Sequence, residues 1–233
     1  MQPIEPLSLA ADLAKYGHAR LPLLDPAACR ELAGLYDQPE AFRSRVVMQR
    51  HGFGSGEYKY LAYPLPEIVA RLRGALYPPL AAIANDWAMQ LGETPSGTDG
   101  RFPDRLDDYL GQCHAAGQTR PTPLLLRYGV GDYNCLHQDL YGELVFPLQL
   151  TILLSDPETD FTGGEFLLIE QRPRMQSRGE AIALAQGEAV IFPVRHRPVR
   201  GTRGVYRATM RHGVSRVRSG VRQTLGIIFH DAA

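Results

Sequence analysis

Lysine is almost missing from this chain: Lys15 and Lys59 are the only two, so nearly every cation among the 25 basic residues is an arginine. The planar arginine fork suits carboxylates, phosphates and stacked bases better than an ammonium does, so an anionic ligand or partner is expected. Cysteine is scarce as well. Cys29, Cys113 and Cys135 are odd in number, far apart and free of any CxxC pair, which argues against a disulfide scaffold or a structural zinc and suits a reducing cytoplasm. No run of about 18 apolar residues occurs, and Met1 to Leu9 lacks a basic start followed by an apolar stretch. A soluble, unexported, cytoplasmic protein is the expectation.

What is present is enough for one sizeable core: 233 residues at 44% hydrophobic content. The formal charge is zero, yet residues 172–222 hold twelve arginines against only Glu180 and Glu188. That segment is strongly basic inside a neutral chain.

The first 119 residues read as a helical support region, helices with short extended links. Asp25-Pro26 starts a helix through Tyr36, with Asp25 as cap and Pro26 in the first turn. A second helical stretch runs from Leu65 to about Leu91, with a break or kink expected at Pro78-Pro79. A third covers Asp104 to about Ala116. From residue 120 to 233 short β-rich runs take over: Leu124–Tyr128, Leu148–Leu154, Glu165–Glu170, Ala189–Phe192, Met210–Val214 and Arg222–Phe229. The expected fold is α+β, a jelly-roll core braced by N-terminal helices in one integrated domain.

His137-Gln138-Asp139 follows a predicted strand and a turn, Gly129 to Asn134. Alternate residues of an extended segment point the same way, so His137 and Asp139 can face one ion. Candidates for a third ligand are His196, His212 and His230. His212 is preferred, because it sits in a strand-like run ten residues before Arg222, and a hairpin can return that arginine to the site. Two imidazoles and one carboxylate occupy one face of an Fe(II) ion and leave the other face free for an organic chelator and dioxygen. On the last strand Arg222, Thr224, Gly226 and Ile228 share a face. A guanidinium beside a hydroxyl would bind the far carboxylate of a dicarboxylate, with Gly226 leaving room for its carbon chain.

These residues resemble the 2-oxoglutarate and Fe(II)-dependent dioxygenases over roughly residues 122 to 231. Thr162-Gly163-Gly164-Glu165 and Gly187 to Phe192 resemble two further elements of that family's double-stranded β-helix. The stretches His212 to Gly220 and Gly226 to Asp231 look like a bacterial subgroup described as oxygenases acting on damaged DNA. The resemblance implies that His137, Asp139 and His212 bind Fe(II) and act in catalysis. It also implies that Arg222 and Thr224 hold the distal carboxylate of 2-oxoglutarate, and that Tyr128 touches the same co-substrate. Leu153 falls where prolyl hydroxylases commonly have a tyrosine, which leaves it as pocket wall. Dioxygen would then oxidise a substrate C–H bond, with succinate released from 2-oxoglutarate.

For the substrate, two enzyme readings stay open. Arg195, Arg197, Arg200, Arg203, Arg207 and Arg211 could track nucleic-acid phosphates, with Tyr206 stacking on a base. Against this, position 228 is isoleucine where AlkB-type repair enzymes carry a second arginine, and the arginines could instead pair with acidic loops. The other enzyme reading is a protein or small-molecule hydroxylase whose lid includes Arg50 to Gly56. Tyr58, Tyr60 and Tyr63 are expected to pack rather than recognise. A non-catalytic, cupin-like metal-binding module is the reading from another class.

Overall fold

The computed structural model describes residues 6–95, 100–202 and 204–233. Four α-helices occur among them: α1 (Pro6–Tyr16), α2 (Pro26–Gly34), α3 (Glu67–Leu91) and α4 (Leu106–Ala115). The strands in the first half are β1 (Ala19–Pro22), β2 (Phe42–Val47), β3 (Gly54–Ser55) and β4 (Glu57–Leu61). Next come β5 (Leu124–Tyr128), β6 (Tyr133–His137), β7 (Leu148–Leu153), β8 (Phe161–Gly163) and β9 (Phe166–Gln171). The last six are β10 (Arg178–Ile182), β11 (Glu188–Pro193), β12 (His196–Gly201), β13 (Gly204–Val214), β14 (Val217–Gly220) and β15 (Arg222–Ile227). No helix among the described residues is long and apolar enough to cross a membrane.

The larger sheet has the order β1-β11-β7-β15-β5-β4-β2, and the smaller runs β10-β9-β13-β6-β3 with β12 added beside β13. β14 and β8 pair separately. Alternation along β7 assigns its faces. Leu148, Leu150, Ile152 and Leu154 join the helices in the larger core, together with Leu225 and Ile227 of β15. Leu153 points the other way, into a second core with Phe166, Leu168, Phe192, Met210 and Val214 from both sheets. The expected α+β jelly roll is therefore present, and the site lies between its sheets.

Three features depart from the sequence expectations. First, α3 runs unbroken through Pro78 and Pro79. Each proline removes a helical hydrogen bond, but Leu72, Leu76, Leu80, Ile83, Ala84 and Trp87 keep one buried stripe on both sides of the pair. Packing of that stripe outweighs the local penalty, since tertiary burial rather than propensity supplies most helix stability. Second, extended links in the first 119 residues are strands of the core itself: β1, β2 and β4 extend the larger sheet. Third, β6 (Tyr133–His137) begins inside the stretch Gly129 to Asn134 that reads as a turn in the sequence.

Asp25 caps α2 as expected, its Oδ1 accepting from the Ala28 N–H at 2.8 Å. The chain's end is held by a buried polar cluster. Arg73, 1% exposed, donates to the carbonyls of Ile228 and Phe229 at 3.0 Å each and to Asp231 Oδ1 at 2.8 Å. This anchors the tail beyond β15 to α3.

Candidate active site

His137 closes β6 and His212 lies on β13, and the two are register partners across the smaller sheet. Their ring centroids are 4.2 Å apart. Asp139 follows just past the end of β6, with Oδ1 3.4 Å from His137 Nε2 and Oδ2 3.2 Å from His212 Nε2. One ligand atom from each of the three lies within 4.8 Å of the others, a grouping that could hold a metal ion. His196 and His230 are not part of it.

Proton placement tests whether this group fits a cation. His137 Nδ1 is 2.7 Å from the Cys135 carbonyl, which can only accept, so the ring's proton sits on Nδ1. A neutral His137 then turns its Nε2 lone pair toward the Asp139 carboxylate. Two lone pairs facing each other require a positive charge between them, either a proton or a metal ion. Burial pushes the Asp139 carboxyl up, but positive charge placed against it at His137 and His212 prevails and holds it well below the ordinary range. His212 is pulled down, first by burial and then by His137. An ionised carboxylate with two accessible imidazole nitrogens matches a divalent cation. Asp139 also accepts from the Tyr141 hydroxyl at Oδ1 (2.8 Å) and from Gln149 Nε2 at Oδ2 (2.9 Å).

These groups line a cavity of about 390 Å³ that reaches Tyr128, Asn134, Arg222, Thr224, Gly226 and Ile228. The shared face expected for β15 is thus present. Arg222 is 2% exposed, and its Nε has no hydrogen-bond partner. No carboxylate among the described residues forms an ion pair with it. Burial lowers its pKa to about 10, still far above neutrality. A buried cation that no carboxylate contacts, with only the more distant Glu165 charge acting on it, calls for an anionic ligand. Gly164, at φ +63°, makes room for this side chain: a Cβ there would lie 2.7 Å from Arg222 Cδ. Gly226 does less than expected as a spacer, since an added Cβ would meet Leu124 Cδ2 at 2.7 Å.

Arg222 does not reach the site through a β13–β15 hairpin. β14 intervenes, and β15 pairs with β5 and β7 in the other sheet, which places Arg222 opposite Tyr128. Leu153 lies outside the lining of the main cavity. It borders a neighbouring cavity of about 280 Å³ with Phe161, Gly164 and Arg222.

Other expectations change more. Tyr58 lines the main cavity, stacked edge-on against Tyr60, which in turn meets Tyr141. Of the proposed lid, Gly52 and Phe53 line the cavity, while Gly54 and Ser55 are fixed as β3 against Asn134 and Tyr133. In the arginine group, Arg197 is buried and ion-paired with Glu170, donating also to the Ala14 carbonyl. It is therefore structural and cannot meet a phosphate. Arg207 is exposed and pairs with Glu93; Arg195, Arg200 and Arg211 are exposed; Arg203 lies outside the described residues. Among the described residues of this group, none lines the main cavity. His196 opens β12, and His230 is buried, with Nδ1 accepting from the Phe146 N–H. Tyr141 and Gln149 escape sequence reasoning because no spacing rule ties them to Asp139.

With this geometry in view, a family model named Oxygenase-NA, described as an oxygenase catalysing oxidative methylation of damaged DNA, matches residues 56–232. The chain belongs to the Oxygenase-NA family. It is an oxidoreductase on that ground. Two uncharacterized proteins of Mycobacterium tuberculosis, one from strain CDC 1551 / Oshkosh and one from strain ATCC 25618 / H37Rv, are each 60% identical to it. The match extends over 171 residues, 73% of this chain and 71% of each relative. Among solved structures, a 2OG-Fe(II) oxygenase-family oxidoreductase from Burkholderia pseudomallei is similar with a TM-score of 0.53 at 17% identity, covering 100% of this chain and 94% of that one. A prolyl-4-hydroxylase from Pseudomonas putida is similar with a TM-score of 0.51 at 14% identity, covering 95% and 96%. This Oxygenase-NA chain thus has the fold of the 2-oxoglutarate/Fe(II) oxygenases.

Proposed function

We propose that this oxygenase uses Fe(II), 2-oxoglutarate and dioxygen, and that it oxidises alkylated nucleic acid. His137, Asp139 and His212 would hold the metal, and Arg222 with Thr224 would bind the distal carboxylate of 2-oxoglutarate beside Tyr128. The carrying observation is Arg222: a buried guanidinium that no carboxylate contacts, in one cavity with a two-histidine, one-carboxylate group. When bound, the metal supplies activation of dioxygen coupled to oxidation of 2-oxoglutarate. The chain's part is to bind, orient and shield. Arg222 neutralises the distal carboxylate, Thr224 adds a hydroxyl donor on the same strand face, and Leu124, Leu126 and Ile228 keep that part of the cavity apolar. Hydroxylation of a carbon attached to nitrogen releases that carbon as an aldehyde, so the chemistry removes an alkyl group from a damaged base.

The family's description supports nucleic acid as the substrate, and exposed Arg195, Arg200 and Arg211 would contact phosphates. A second reading, oxidation of a protein side chain or small apolar molecule, is favoured by exposed Phe53, Leu136 and Leu140 around the cavity. Oxygen-dependent succinate formation separates the two. Stimulation by N-alkylated single-stranded DNA, weakening as salt rises, supports the first; stimulation only by peptides or small apolar compounds contradicts it.

A further inference from the structure

Asp139 is restrained at both oxygens by donors that the sequence places far from any motif. Tyr141 gives its hydroxyl proton to Oδ1 and Gln149 gives an amide proton to Oδ2, while His137 faces Oδ1 and His212 faces Oδ2. Each oxygen thus carries one fixed donor and one imidazole. The Gln149 amide is oriented by chemistry: a carboxylate accepts only, so the NH2 must face Asp139. This orientation has a cost. Gln149 is 3% exposed, and its Oε1 is buried without a partner, so the fold leaves an acceptor unsatisfied to keep the donor on Asp139. Gln149 Nε2 also lies 3.5 Å from His212 Nε2, which sets it beside two of the three ligand atoms.

The positions come from different elements. Gln149 is on β7 of the larger sheet, and Tyr141 is in the loop after β6, wedged against Tyr60 of β4. Asp139 itself lies in the segment between β6 and β7, so its own backbone sits in neither sheet. Without outside restraint its carboxylate could rotate about the Cβ–Cγ bond and present either one oxygen or both to an ion.

We infer that Gln149 and Tyr141 are positioning residues that hold the Asp139 carboxylate against rotation, one donor at each oxygen, and so set how tightly it would hold a metal ion. The inference rests on the metal-site reading above. It predicts that metal affinity falls and the metal's surroundings change when either donor is removed, with the rest of the fold intact.

The test uses the full chain, Co(II) as probe, and four variants: Gln149→Met, Tyr141→Phe, their combination, and His212→Ala. Calorimetry gives Co(II) affinity, and the visible Co(II) spectrum reports coordination number. Wild type should bind one Co(II), and His212→Ala should lose it. Gln149→Met and Tyr141→Phe should each weaken binding by about tenfold to a hundredfold and change the spectrum, as loss of groups that orient ligands does elsewhere. Circular dichroism should match wild type. If both single variants bind Co(II) with wild-type affinity and spectrum, the positioning role is wrong while the metal site stands. If wild type does not bind Co(II), the metal site fails and the inference with it. Tyr141→Phe, which deletes only a hydroxyl, keeps the test decisive should Gln149→Met fold poorly.

Discussion

Arg222 and Tyr128 stand directly opposite each other on β15 and β5, with the guanidinium carbon 5.8 Å from the phenol ring centroid. Burial pushes the Tyr128 hydroxyl up, so it stays protonated and donates rather than repels an anion. A permanent cation and a phenol therefore line the same cavity as the histidine–aspartate group.

The first expectation concerns that cation. Arg222→Ala removes charge-assisted hydrogen bonds to the co-substrate, each set of which contributes roughly 1.5–3 kcal/mol. Affinity for 2-oxoglutarate should fall by about tenfold to a hundredfold. Metal binding, measured without co-substrate, should remain. Anaerobic calorimetry with the metal-loaded protein measures both.

Gly164 gives a sharper version of the same claim. Gly164→Ala places a residue in the left-handed region, at about 1–2 kcal/mol, and drives its Cβ toward Arg222 Cδ at 2.7 Å. Gly92 at the end of α3 has the same φ of +63° with open space around it. Both alanine variants should lower the thermal midpoint, but only Gly164→Ala should weaken 2-oxoglutarate binding. Equal affinities in the two variants would contradict the placement of Arg222.

Stability should fall in mild acid because of His230. Burial, reinforced by the Arg73 cation, lowers its pKa from the ordinary 6.5 to about 4. Between those values the unfolded chain binds the proton and the folded chain does not. Folding therefore loses stability as pH drops through about 6.5, until the folded form also protonates near 4. The expected loss from this residue is about 2 kcal/mol between pH values of about 7 and about 5. Urea denaturation of wild type and His230→Gln measures it: the variant should be less stable at neutral pH yet lose less on acidification.

Much of the core was legible because alternation is a local property. β5 matches its expected bounds, the inward face of β15 is the set Arg222, Thr224, Gly226 and Ile228, and Asp25 caps α2. What the sequence hides depends on contacts between distant segments. β6 has no clean inside–outside pattern, since Cys135 and Leu136 are both exposed. Arg197 resembles its neighbours in the chain, and only Glu170, 27 residues away, makes it structural. The strands added by the first half of the chain, and the hold of Tyr141 and Gln149 on Asp139, arise from sheet order rather than spacing.

The central claim is that His137, Asp139 and His212 would hold an iron that 2-oxoglutarate, gripped by Arg222, chelates. Adding Fe(II) and then 2-oxoglutarate to the protein without oxygen tests it most directly. A weak visible metal-to-ligand charge-transfer band should develop, should vanish in His212→Ala, and should need far more 2-oxoglutarate in Arg222→Ala. A wild-type protein that shows no band, or a band indifferent to both substitutions, would contradict the account.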